Sequence, residues 1–93
     1  MSNFIQQLAN LITDRQLNPQ AESYTNQLLA NPNQAAQKVG EEATEVIIAA
    51  LAQSDERLIE ESADLMYHLL VLLQTRHVAW EAVVAELEKR HKI

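Results

Sequence analysis

Phe4, Ile5, Leu8, Ala9, Leu11 and Ile12 recur at steps of three and four, the repeat of a helix with one apolar side. The spacing predicts a helix from Asn3 to about Gln16 with Ser2 as its cap. Leu17-Asn18-Pro19-Gln20 should end it, because proline disfavours helix in the residue before it. A short helix from Tyr24 to Ala30 follows, capped by Ser23. Asn31-Pro32-Asn33 is the next break. A third helix is expected from about Gln34 to Gln53, with Asn33 as cap. Ser54 should cap a fourth, Asp55 to about Arg76, with Asp55 and Glu56 well placed in its first turn. A fifth, roughly Ala79 to Lys92, carries Trp80, Val83, Val84 and Leu87. Its start has no good cap residue, while Lys89, Arg90 and Lys92 near its end suit the helix dipole.

Composition sharpens this picture. With 93 residues the chain is expected to be one domain, 1–93. It holds one glycine and two prolines. Sandwiches and barrels want a turn signal about every 8–12 positions, so they are excluded. Glycine-rich phosphate loops are excluded too. The expected fold is all-α, an antiparallel bundle of four to five helices. Gly40, inside the third helix, costs about 1 kcal/mol relative to alanine. A residue without Cβ there suggests close approach by another helix or by a ligand.

Charge and cysteine content narrow the function. Thirteen acids against seven bases give a net charge of −6. That argues against nucleic acid as a partner, which wants a basic face. The absence of cysteine excludes disulfides, thiolate zinc sites and a cysteine nucleophile. The first residues carry neither a basic region nor a long apolar run, so no secretion signal is expected. The most apolar run, Leu65 to Leu73, is far shorter than the roughly 20 residues of a membrane span. A cytoplasmic location is expected, with no membrane partner.

The candidate chemistry lies in the acids, eight of which fall between Glu41 and Asp64. On a wheel with Lys38 at zero, Glu42 lies near roughly +40° and Glu45 near roughly −20°. They border an apolar arc of Ala35, Val39, Ala43, Val46, Ile47 and Ala50. With Arg57 at zero, Glu61, Asp64 and His68 fall at roughly +40°, −20° and +20°. Leu58, Ser62, Leu65, Leu69 and Leu72 lie beside them. The third and fourth helices, joined tightly at Ser54, should pack antiparallel. Glu42, Glu45, Glu61 and Asp64 then face one cleft. Four carboxylates there need protons or a cation to offset their repulsion. Hard oxygen donors suit Mg²⁺, with Mn²⁺ as a substitute. The bland alternative is a pair of solvated glutamate-rich faces. A di-iron bundle would want Glu-x-x-His on two helices, which is absent.

The segment KVGEEATEVIIAALAQSDERLIEESADLMYHLLVLL, Lys38 to Leu73, resembles phosphoribosyl-ATP pyrophosphohydrolases of histidine biosynthesis, within the all-α MazG-like NTP pyrophosphatase group. The motifs are Glu41-Glu42-x-x-Glu45 and Glu61-x-x-Asp64. Ser23-Tyr24-Thr25 with Leu28-Leu29, and Glu86-Leu87-Glu88-Lys89-Arg90, extend the likeness over nearly the whole chain. The resemblance implies Mg²⁺-dependent hydrolysis of 1-(5-phosphoribosyl)-ATP to phosphoribosyl-AMP and pyrophosphate. Glu42, Glu45, Glu61 and Asp64 would hold the metal. Glu41 would orient water or reach a second metal. Lys38, His68 and Arg90 are the candidate substrate contacts, each with a simpler role open to it. Lys38 can pair with Glu42, His68 can be a satisfied core histidine, and Arg90 can be dipole-favoured surface. Arg57 is expected to pair with Glu60 or Glu61. Tyr67 and Trp80 read as core or interface. The alternatives are a housekeeping nucleoside triphosphate pyrophosphatase and a non-enzymatic helical dimerisation module. Because the fourth helix is apolar nearly all round from Met66 to Leu73, a homodimer burying that stretch is expected.

Overall fold

The computed structural model describes residues 3–93. Five helices follow one another: α1 (Phe4–Leu17), α2 (Tyr24–Leu29), α3 (Pro32–Ala52), α4 (Asp55–Thr75) and α5 (Trp80–Arg90). There is no strand among the described residues. Ser2, the expected first cap, lies outside them. Asn3 precedes α1 without a side-chain capping bond. Asn18, before Pro19, leaves the helical conformation and ends α1.

The caps explain where the other helices begin. Ser23 accepts from the backbone N–H of Asn26, and Ser54 from that of Arg57. α3 starts earlier than expected: its cap is Asn31, accepting from the N–H of Gln34, and not Asn33. The reason is Pro32, whose fixed φ and missing N–H suit the first helical position. α5 begins at Trp80 without a side-chain cap.

Scarcity of glycine did not remove left-handed turns. Glu22 and His77 adopt φ of 63° and 56°. His77 ends α4 in a Schellman arrangement, its N–H on the Gln74 carbonyl and that of Val78 on the Leu73 carbonyl.

α3 and α4 form an antiparallel hairpin, the most extensive helix pairing in the molecule. α1 and α2 lie across α4, and α2 also touches α3. The core is Ile12, Leu28, Ala35, Leu70 and Val71, with Leu8, Leu29, Tyr67, Leu72 and Trp80 packed against it. Trp80 thereby anchors α5, which otherwise packs lightly.

Burial corrects three expectations. Leu70 and Val71 are only 3% and 0% exposed in a single chain, so the side of α4 that bears them is already covered by α1, α2 and α3, while Met66, Leu69 and Leu73 stay half-buried. The hairpin tip groups four uncovered apolar side chains, Ile47, Ile48, Leu51 and Ile59, at 59%, 42%, 84% and 70% exposed, while Phe4, Leu17 and Leu87 lie exposed on α1 and α5. Ile47 and Ala50 are therefore not core; Ala49 is buried instead. A wheel fixes spacing along α3 but not the bearing of its neighbours. Finally, a Cβ at Gly40 would meet nothing within 4 Å, so no helix of this chain crowds it.

Candidate metal centre on the α3–α4 hairpin

The hairpin places three carboxylates together. One oxygen each from Glu42, Glu61 and Asp64 lie within 4.8 Å of one another. Glu42 is half-buried, Glu61 buried and Asp64 exposed, so the cluster opens to solvent on the Asp64 side. Oxygens sharing one octahedral ion at about 2.1 Å sit roughly 3 to 4 Å apart. Small side-chain rotations close that gap. The donors are hard, their charge is high and one side is open, so the residues fit Mg²⁺ or Mn²⁺.

Two cations temper the repulsion. Lys38 Nζ lies 3.4 Å from Glu42 Oε1, one turn along α3. Burial pulls the Lys38 pKa down, but the hydrogen bond to Glu42 and the charges of Glu41 and Glu42 outweigh it, leaving it above the usual lysine value. Arg57 forks between Glu60 and Glu61, donating to one oxygen of each. The bond to Glu60 and the charge of Glu61 hold the guanidinium above its usual value. Arg57 binds only Oε1 of Glu61, and itself stays exposed. Three carboxylates facing two shared cations keep a net negative character.

The other candidates lie differently. Glu45, one turn beyond Glu42, is exposed and outside the three-oxygen cluster. Glu41 is exposed and accepts from Gln37 Nε2 at 3.1 Å. Arg90 is exposed in the last turn of α5 and donates to Glu86 at 2.8 Å. His68 is buried, with both ring nitrogens engaged: Nδ1 lies 2.7 Å from the Asp64 carbonyl and Nε2 2.9 Å from the Tyr24 hydroxyl. A carbonyl only accepts, so Nδ1 carries a proton there, and Nε2 is taken up by the Tyr24 hydroxyl. That leaves no ring nitrogen for a ligand.

Sequence reasoning missed the surroundings of His68. Tyr24 and Tyr67 stack with ring centroids 6.3 Å apart, and both meet His68 edge-on. Thr25 and Tyr67 share a hydroxyl–hydroxyl bond. Beyond Tyr24, a cavity of about 380 Å³ opens between α1 and α2. A larger cavity, about 500 Å³, lies instead between α1 and the α4–α5 connection, and none of Glu42, Glu61 and Asp64 lines it. Shape alone would have pointed there; the donor chemistry does not.

Comparison with known proteins agrees with the motifs. Residues 5–91 match the family described as phosphoribosyl-ATP pyrophosphohydrolase. The phosphoribosyl-ATP pyrophosphatase of Sulfolobus acidocaldarius is 46% identical over 91 residues, covering 97% of this chain and 96% of its own length. That of Sulfurisphaera tokodaii is 48% identical over 92 residues, covering 98% of each. The histidine biosynthesis bifunctional protein HisIE of Vibrio cholerae is 49% identical over 90 residues, 96% of this chain but 43% of that longer protein. The match runs through both acidic motifs and nearly end to end, and the chain belongs to the phosphoribosyl-ATP pyrophosphohydrolase family.

Proposed function

We propose that this chain hydrolyses 1-(5-phosphoribosyl)-ATP to phosphoribosyl-AMP and pyrophosphate, a step of histidine biosynthesis, in the cytoplasm and with Mg²⁺. The observation that carries this reading is the meeting of Glu42 from α3 with Glu61 and Asp64 from α4 in a chain of this family. Those three would hold the ion, and Glu45 completes the set by swinging inward from its exposed position. Bound there, a divalent cation supplies neutralisation of phosphate oxygens and a water of lowered pKa. The chain's own residues do the rest. Glu41, exposed beside the cluster, orients water for attack between the α and β phosphates. Lys38, already tied to Glu42, holds that carboxylate in place and offers a cation to the polyphosphate. His68 fixes the α4 turn that carries Asp64.

The second part of the proposal is assembly. A two-fold homodimer covers the hairpin tip, packing Ile47, Ile48, Leu51 and Ile59 of both copies into one four-helix arrangement. Sedimentation equilibrium at low micromolar concentration tests it: a well-folded 10.5 kDa species would refute it.

Pyrophosphate release with and without Mg²⁺ tests the activity, using phosphoribosyl-ATP, ATP and dCTP in parallel. Strong preference for phosphoribosyl-ATP is expected. Preference for ATP or dCTP would make the chain a general nucleotide pyrophosphatase. No Mg²⁺-dependent release from any of them would end the enzyme reading.

A further inference from the structure

Phosphoribosyl-ATP differs from ATP by a second ribose bearing a phosphate monoester. Such a monoester carries about −1.5 to −2 charge at neutral pH. A chain of net charge −6 must meet that charge with a cation of its own. Most of its bases are committed or remote. Lys38 pairs with Glu42, Arg57 with Glu60 and Glu61, and Arg90 with Glu86. Arg76 is exposed at the end of α4, and Lys89 and Lys92 are exposed at the far end of the chain.

Arg15 is different. Its side chain is half-buried in the wall of the cavity between α1 and α2. Its one ion pair among the described residues is with its neighbour Asp14 at 3.6 Å, too long for a hydrogen bond. The guanidinium fork matches phosphate oxygens in pairs. The backbone around it is fixed: Asn26 Nδ2 donates to the Arg15 carbonyl at 2.7 Å, and Asn26 Oδ1 accepts from the Gln20 N–H at 2.9 Å. That clamp folds the α1–α2 connection over the cavity and turns Glu22, left-handed at φ 63°, onto its rim. A non-glycine residue held there is backbone strain beside a cavity.

Two hydrogen bonds link the cavity wall to the turn that carries Asp64. Tyr24 forms part of its lining, and the same hydroxyl bonds His68, which bonds the Asp64 carbonyl. Tyr24 and His68 thus connect the wall of the Arg15 cavity to the α4 turn that bears Asp64.

We propose that the cavity between α1 and α2 receives the phosphorylated ribose of the substrate, with Arg15 holding its phosphate. This rests on the substrate reading above and deepens it. The exposed Glu22 carboxylate repels phosphate but accepts sugar hydroxyls, so it sets which end of the phosphoribosyl group faces inward. The triphosphate goes to the carboxylate-held cation, and the monoester goes to Arg15. ATP lacks the monoester and gains nothing from the cavity.

Ribose 5-phosphate is the direct probe, titrated into the wild-type protein while backbone amide shifts are followed. Saturable shifts at Arg15, Tyr24, Thr25 and Tyr67 are expected. Arg15→Gln should weaken that binding by about tenfold or more, and Arg15→Lys, which keeps charge without the fork, should fall between. Mg²⁺-induced shifts at Glu61 and Asp64 should be the same in all three proteins. In turnover of phosphoribosyl-ATP, Arg15→Gln should raise KM by about tenfold with kcat within about threefold. Absence of wild-type shifts around the cavity, equal ribose 5-phosphate affinity in Arg15→Gln, or an unchanged KM would overturn the proposal. Ribose 5-phosphate binding that needs Arg15, in a protein that does not hydrolyse phosphoribosyl-ATP, would leave the cavity as a phosphosugar site and refute the proposed reaction instead.

Discussion

The two halves of α4 differ in a way their composition hides. From Met66 to Leu73 the helix is apolar on nearly every side, yet α1, α2 and Trp80 cover much of it within one chain. The first half carries the acids, and beside it Ile59 lies bare with Ile47, Ile48 and Leu51 of α3. Need for a partner is therefore not proportional to apolar content. It depends on which neighbours the chain can fold back onto each stretch, and the connections here bring Ile12 of α1 and Tyr24 and Leu28 of α2 onto the second half. The first half carries the acidic cluster and the bare tip, the second the packed core.

That division can be broken by experiment. Leu70→Ala, in the covered half, should destabilise the fold by about 2–5 kcal/mol in thermal or urea unfolding. Asp64→Asn should do the opposite. Turnover should fall by at least about a hundredfold, since a ligand charge is lost from a charge-driven site. Without Mg²⁺ the melting temperature should stay level or rise, because one of three mutually repelling carboxylates has gone. A clear loss of apo stability would show that Asp64 is structural. Leu51→Ser should leave the monomer's stability within about 0.5 kcal/mol but shift sedimentation towards the monomer. Unchanged assembly would remove the tip from the interface. The smallest effects concern helix ends. His77→Gly should stabilise by up to about 1 kcal/mol by relieving the left-handed turn. Asn31→Ala should cost about 1 kcal/mol, while Asn33→Ala costs little. Equal costs would undo the assignment of the α3 cap.

The helices themselves were readable because periodicity and caps are local properties. Ser23 and Ser54 do what their positions promised, and Glu42, Glu61 and Asp64 meet as the two stripes implied. Glu45 shows the limit. Its angle on the wheel differs little from that of Asp64 on its own helix, but angle says nothing of how far along α3 the opposing carboxylates sit. The same gap misplaced Ile47. The cavity beside Arg15 was out of reach for another reason. It depends on a connection folded back by Asn26, a side chain with no periodic or motif signal. The left-handed turns at Glu22 and His77 were hidden because the usual marker, glycine, is missing from both.

The hairpin of α3 and α4 has a consequence for how the chain reaches its native state. The residues that form the acidic cluster sit on adjacent helices joined by a two-residue turn, Gln53 and Ser54. Contacts so close in sequence close quickly, since little chain entropy is lost in the loop. The cluster's geometry is therefore set by the earliest-closing part of the topology. The cavity beside Arg15 needs α1 and α2 to dock on a finished α4, across contacts far apart in sequence such as Tyr24 with His68. During refolding, amide protection in α3 and α4 should precede that in α1 and α2, so a site able to gather a cation exists before the pocket that would choose its substrate.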